Sequence, residues 1–167
     1  MTTRIALLAA LALSLSTHAI AQSTVFVVRH AERADAGTAA ATMTGADPDL
    51  SDAGHTRARS LAAMLKDAGV TAIFATNRKR TQQTAAPLAT ALGVTVVTIP
   101  TADTAALVAM VKAASGNVLV VGHTNTVPDV IKGLGVDTPL VVEESEFDNL
   151  FIVTRGEKPT LLRLHYR

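Results

Sequence analysis

The feature that most constrains the fold of this chain is an alternation. Short β-branched apolar runs are separated by stretches whose apolar residues recur at helical spacing. Thr24-Val25-Phe26-Val27-Val28 reads as a buried strand. A loop rich in Ala, Thr and Gly follows from Ala34 to Leu50, with Pro48 marking a turn at its end. Ser51 can cap a helix with Asp52 in its first turn. Ala58, Leu61, Ala62, Leu65 and Ala68 then share one face before Gly69. Val70 to Ala75 is a second strand. Thr84, Ala85, Leu88, Ala89 and Leu92 repeat at helical spacing up to Gly93, with Pro87 inside the pattern, so that helix is kinked there or begins close to it. Val94 to Ile99 is a third strand, and Leu107, Met110, Val111 and Ala114 mark a third helix. Asn117 to Val121 is a fourth strand, followed by a short helix near Asp129 to Lys132. Leu150 to Thr154 and Leu161 to His165 read as closing strands around Gly156 and Pro159.

Strands alternating with helices predict an α/β three-layer sandwich, a mostly parallel central sheet flanked by helices. Ligands of such folds lie beyond the carboxyl ends of the strands. That rule selects Arg29-His30-Ala31-Glu32-Arg33 after the first strand, Thr76-Asn77-Arg78-Lys79-Arg80 after the second and Gly122-His123-Thr124-Asn125 after the fourth. One Arg or His at a strand end is commonly a solvated rim residue. Three basic ends on one edge of one sheet instead predict an anion site. Arginine offers a planar fork of donors that matches phosphate or carboxylate oxygens. Histidine can be a nucleophile, an acid or base, a metal ligand or a plain donor. The candidates are therefore His30, His123, Arg29, Arg33 and Arg80.

Competing chemistries fit less well. A metal site would draw on His30, His123 and Glu32, but no local His pair exists and the arginines would repel a cation, so no metal is expected. Gly-x-Ser-x-Gly and P-loop patterns are absent. The chain has no cysteine, which excludes disulfides, thiolate ligands and a Cys nucleophile.

At the N-terminus, Arg4, the apolar run Ile5 to Leu15 and Ala19-Ile20-Ala21 form the pattern of a secretory signal. The expected organisation is a signal peptide at 1–21, cleaved before Gln22, and a single domain at 22–167. The expected location is the bacterial periplasm or the exterior. The chain carries 15 Lys and Arg against 14 Asp and Glu, and the leader's one such residue is Arg4, so 22–167 is balanced. Neither nucleic acid nor an anionic membrane is an expected partner. Without cysteine, no lipid anchor is expected on the mature chain either. The sequence sets no oligomeric state.

Taken together, these stretches resemble a known family. Val27-Val28-Arg29-His30-Ala31-Glu32 is similar to the Arg-His-Gly signature of the histidine phosphatase superfamily, the phosphoglycerate-mutase-like proteins. Leu50-Ser51-Asp52-Ala53-Gly54 resembles its Leu-Thr-x-x-Gly helix start. Thr76 to Ala85 resembles Ser-x-x-x-Arg-Ala-x-Gln-Thr-Ala, and Val121-Gly122-His123-Thr124 resembles its second Gly-His. The four occur in order over roughly Val25 to Val130. Ala31 replaces the usual glycine, as in a short branch resembling bacterial phosphohistidine phosphatases.

The resemblance implies that His30 attacks phosphorus while Arg29, Arg33, Arg80 and His123 hold the phosphate. The implied activity is metal-independent hydrolysis of a small phosphate monoester or phosphoramidate through a phosphohistidine. A phosphate-ligand-binding protein with little turnover and a phosphomutase are the alternatives. The proton donor is left open. Thr124 stands where the acid-phosphatase branch has an acid, and Asp103 is the one acid between Arg80 and His123 but is also a natural helix cap. Glu32 is a second candidate. Glu143, Glu144, Glu146 and Asp148 form an acidic cluster that suits a solvated loop or the pocket rim.

Overall fold

A computed structural model describes residues 23–35 and 47–167. The signal peptide expected at 1–21, the cleavage point before Gln22 and the middle of the 34–50 loop lie outside the described residues. The elements run β1 (Thr24–Arg29), α1 (Asp52–Leu65), β2 (Val70–Thr76), α2 (Lys79–Leu92), β3 (Val96–Ile99), α3 (Thr104–Ala113), β4 (Asn117–Gly122), α4 (Thr126–Gly133), β5 (Asn149–Thr154) and β6 (Thr160–His165).

The six strands form one sheet in the order β3-β2-β4-β1-β5-β6. β3, β2, β4 and β1 are mutually parallel; β5 runs antiparallel to β1, and β6 antiparallel to β5. The expected layered sandwich is therefore the observed fold, with the antiparallel pair at one edge.

Strand alternation divides the core between the two faces. Val25 and Val27 of β1 pack with Val118 and Val120 of β4 beneath Leu107 and Val111 of α3 and Val127, Val130 and Ile131 of α4. Phe26 and Val28 point the other way, with Leu119 and Val121, against Leu61 and Leu65 of α1 and Ala85 and Leu88 of α2. Each central strand is apolar at successive positions because both of its faces are covered.

The cap residues do what their types predict. The Ser51 hydroxyl accepts from the Gly54 N–H at 3.1 Å, and Asp103 accepts from the Ala106 N–H at 2.9 Å to start α3. Gly93 ends α2 at φ 66°, a left-handed conformation that glycine adopts without strain. Among the described residues no helix is long and apolar enough to cross a membrane.

One short loop is held with unusual closeness. The segment after β1 lies against the start of α1, where Ser51 N–H donates to the Glu32 carbonyl at 2.9 Å and Ala34 N–H to that of Asp49 at 2.9 Å. A Cβ on Gly54 would overlap the Glu32 carbonyl oxygen, so glycine is what permits this approach. Ala31, fully buried, packs with Leu50 and Ala58. Its N–H donates to Thr84 Oγ1 at 3.0 Å, and that hydroxyl donates to the Arg80 carbonyl at 2.7 Å. The chain around His30 is thus fastened to both α1 and α2.

Candidate active site

His30 and His123 each follow directly on a central strand. Arg29 of β1 is in register with Gly122 of β4, so the two histidines leave neighbouring strands side by side. Their ring centroids are 5.3 Å apart, edge to face. Both rings open on a cavity of about 430 Å³ lined by Arg29, His30, Arg33, Arg80 and His123, together with Arg78, Thr101, Thr124, Asn125 and Glu144. All five side chains selected from the sequence therefore share one cavity.

The side-chain hydrogen bond of His30 fixes its tautomer. Nδ1 lies 2.8 Å from the Ala31 carbonyl oxygen, which can only accept, so Nδ1 carries the proton in the neutral ring. The lone pair is left on Nε2. His123 is held by its backbone, whose N–H donates to Thr126 Oγ1 at 2.7 Å, while both ring nitrogens are buried without a partner among the described residues. A buried nitrogen without a partner is costly until a ligand satisfies it.

Burial pushes the His30 imidazole down to about 3; the hydrogen bond to the Ala31 carbonyl opposes this, and the charges of Arg80, Arg29 and His123 reinforce it. Burial and the charges of Arg80, Arg78 and Arg29 bring His123 to about 3 as well. Both rings are thus neutral at ordinary pH, as a nucleophilic nitrogen must be. A ring titration followed by NMR is expected to find both neutral at pH 5, where a histidine at 6.5 is mostly charged, and to find both midpoints raised by inorganic phosphate. Because the folded values lie below the unfolded one, the unfolded chain binds more protons between about 6.5 and 3. Folding stability falls as pH drops through that window.

The arginines are held differently. Arg29 is buried, and its Nη1 donates to the carbonyls of Glu144 at 2.7 Å, Glu143 at 3.0 Å and Glu146 at 3.4 Å. Its Nη2 meets Glu144 Oε2 at 2.8 Å, and its guanidinium lies 4.3 Å from the Phe147 ring centroid. Arg33 makes two bonds to Asp35, at 2.8 and 2.6 Å, and Arg80 lies 3.7 Å from Asp47 Oδ1. The acidic cluster before β5 is therefore at the rim, where it folds its backbone around Arg29.

Neither acid candidate reaches the cavity lining. Asp103 is occupied as the cap of α3. Glu32 is clamped by Arg57, with bonds from Nε at 2.9 and 3.0 Å and from Nη2 at 2.6 Å. Sequence reasoning missed Arg78, Thr101, Asn125 and Glu144 as wall residues. Arg78 and Asn125 lie in the basic strand ends and Glu144 in the acidic cluster, whereas Thr101 lies just beyond the third strand with no pattern to mark it.

The comparisons with known proteins fit this geometry. The model of the histidine phosphatase superfamily (branch 1) matches residues 25–103. No curated protein matches the chain significantly in sequence. Among solved structures, a candidate alpha-ribazole-5'-P phosphatase from Escherichia coli superposes with TM-score 0.69 at 15% identity, over 86% of this chain and 96% of that one. The protein histidine phosphatase SixA complexed with tungstate gives 0.63 at 20% identity, over 85% and 96%. A mycobacterial glucosyl-3-phosphoglycerate phosphatase with inorganic phosphate gives 0.64 at 15%, over 84% and 95%. These likenesses establish the shared fold, and over residues 25–103, which hold the first two basic strand ends, the chain is similar to the histidine phosphatase superfamily (branch 1).

Proposed function

We propose that the chain is a phosphatase that hydrolyses a small phosphate monoester or phosphoramidate, without a metal, through a phosphohistidine on His30. The observation that carries this reading is a neutral His30, its Nε2 lone pair free, in a cavity walled by arginines and by an unpartnered His123. Nε2 attacks phosphorus in line, and the bond to the leaving oxygen or nitrogen breaks with its electron pair. Water then attacks the phosphohistidine, releasing phosphate and returning Nε2 to its neutral state. Arg29, Arg80 and a ring N–H of His123 carry the charge on the non-bridging oxygens, which is the main demand of phosphoryl transfer. Arg33 adds positive charge from the wall while its fork engages Asp35.

SixA, by its name a protein histidine phosphatase, supports the phosphoramidate option, and the glucosyl-3-phosphoglycerate phosphatase supports the ester option. The secretory pattern of residues 1–21 supports a periplasmic or secreted enzyme. A phosphate-binding protein with little turnover is the second reading, favoured by the engagement of Asp103 and Glu32 outside the cavity.

A phosphatase assay over a panel of phosphorylated metabolites and nitrophenyl phosphate decides between the two. Activity is expected to survive EDTA and to be inhibited by vanadate, which adopts the five-coordinate geometry of the transferring phosphorus. Among the described residues no three His, Asp or Glu side chains converge as a ligand set. Loss of activity in EDTA, restored by zinc or magnesium, would replace the proposed mechanism with a metal-dependent one.

A further inference from the structure

Three of the four arginines in the cavity wall have a carboxylate beside them: Glu144 for Arg29, Asp35 for Arg33 and Asp47 for Arg80. Among the described residues Arg78 has none, and its side chain makes no hydrogen bond. It occupies the position before α2 in extended backbone, without capping the helix through its side chain. It lines the cavity, and its charge acts on both Arg80 and His123, lowering each. An unmatched cation beside other cations is unfavourable until an anion arrives.

Two polar side chains accompany it in the wall. Thr101 is positioned by Asn77, whose Oδ1 accepts from the Thr101 N–H at 3.0 Å and from its hydroxyl at 2.8 Å. Asn125 precedes α4 and makes no side-chain cap, so its amide is available to a ligand. The cavity is also larger than a single phosphate needs and lies within the range of small-molecule sites.

We propose that Arg78, with Thr101 and Asn125, forms a second anion subsite, so that the preferred substrate carries a carboxylate or other anionic group besides the scissile phosphate. This rests on the phosphatase reading for its turnover, but not for its binding. Two guanidinium groups two residues apart, Arg78 and Arg80, would then read two different anionic groups of one molecule. Arginine suits the task because its fork meets a carboxylate through paired donors.

The test uses matched probes: 4-carboxyphenyl phosphate and its neutral isostere 4-carbamoylphenyl phosphate, with the 3-substituted pair alongside. Wild-type protein is expected to favour a carboxylated member in kcat/KM. Arg78→Gln is expected to reduce that preference by about tenfold or more, the value of a charge-assisted contact. Arg78→Lys is expected to restore part of it. Both variants should fold, since the replaced side chain makes no described bond. Binding of the corresponding phenylphosphonates, measured in parallel by calorimetry, separates the two claims. Equal handling of both probes by wild type, or equal losses on both in Arg78→Gln, would overturn the subsite and leave the phosphatase intact. Tighter Arg78-dependent binding of the carboxylated phosphonate without hydrolysis of any ester would keep the subsite and overturn the phosphatase.

Discussion

Replacing His30 with alanine is expected to lower turnover by about a thousandfold or more while leaving the fold in place. Loss of a covalent nucleophile costs several orders of magnitude because the remaining groups only bind and polarise. Cysteine is absent from the chain, and no metal-bound water is available in the proposed mechanism to take over. The fold should survive because the ring faces the cavity and its one side-chain bond among the described residues is to the adjacent Ala31 carbonyl. The backbone bond from His30 N–H to the Gly122 carbonyl, 3.0 Å, is unaffected. Acid-labile phosphohistidine should be trapped on quenching wild-type turnover and be missing from the variant. Circular dichroism and a thermal melt verify the fold. A folded variant that keeps substantial activity would rule out His30 as the nucleophile.

The second large effect concerns the leaving group. Nitrophenyl phosphate is expected to be hydrolysed about a hundred to ten thousand times faster than an alkyl phosphate of similar size, the contribution a well-placed general acid would otherwise make. The physical reason lies in where the carboxylates are. Asp103 starts α3, Glu32 is bound by Arg57, and Glu144, the carboxylate in the wall, is engaged with Arg29. An alkoxide then leaves without a proton, whereas nitrophenolate or the nitrogen of a phosphohistidine leaves readily. Asp103→Asn should change neither rate, since Asn caps a helix as well as Asp. Equal rates on alkyl and aryl esters, with chemistry shown to limit both, would mean that a proton donor acts in the site.

The fold was legible because buried strands and amphipathic helices have different periods, and the errors have local causes. Helix α2 begins at Lys79, five residues before the apolar pattern opens at Thr84. Its first turns are fixed by polar bonds, with Thr81 fully buried and its Oγ1 donating to the Arg78 or Thr76 carbonyl. A buried hydroxyl leaves no trace in an apolar count. The helix also continues through Pro87 rather than starting beside it. β3 begins at Val96 and not Val94, because the Val94 N–H is taken by the Ala89 carbonyl in the turn that ends α2. Met110, placed on the packed face by spacing, is 40% exposed, since α3 buries Leu107 and Val111 alone.

The site divides the same way. His30, His123, Arg29, Arg33 and Arg80 were legible because strand ends converge by topology. Arg78 and Glu144 were not. Whether Arg78 or its neighbour Lys79 faces the cavity depends on where α2 starts, and Glu144 arrives on an irregular loop without periodicity.

The pairing of Arg29 with Gly122 carries one further consequence. His30 and His123 are neighbours because two strands lie in a particular register, not because a loop adopts a particular shape. A residue inserted into or deleted from β1 or β4 would reverse the facing of every side chain beyond it and carry one histidine off the other. Length changes in the surface connections leave that alignment untouched. Connections that carry no cavity residue can therefore change length, while the two central strands must keep their residue count.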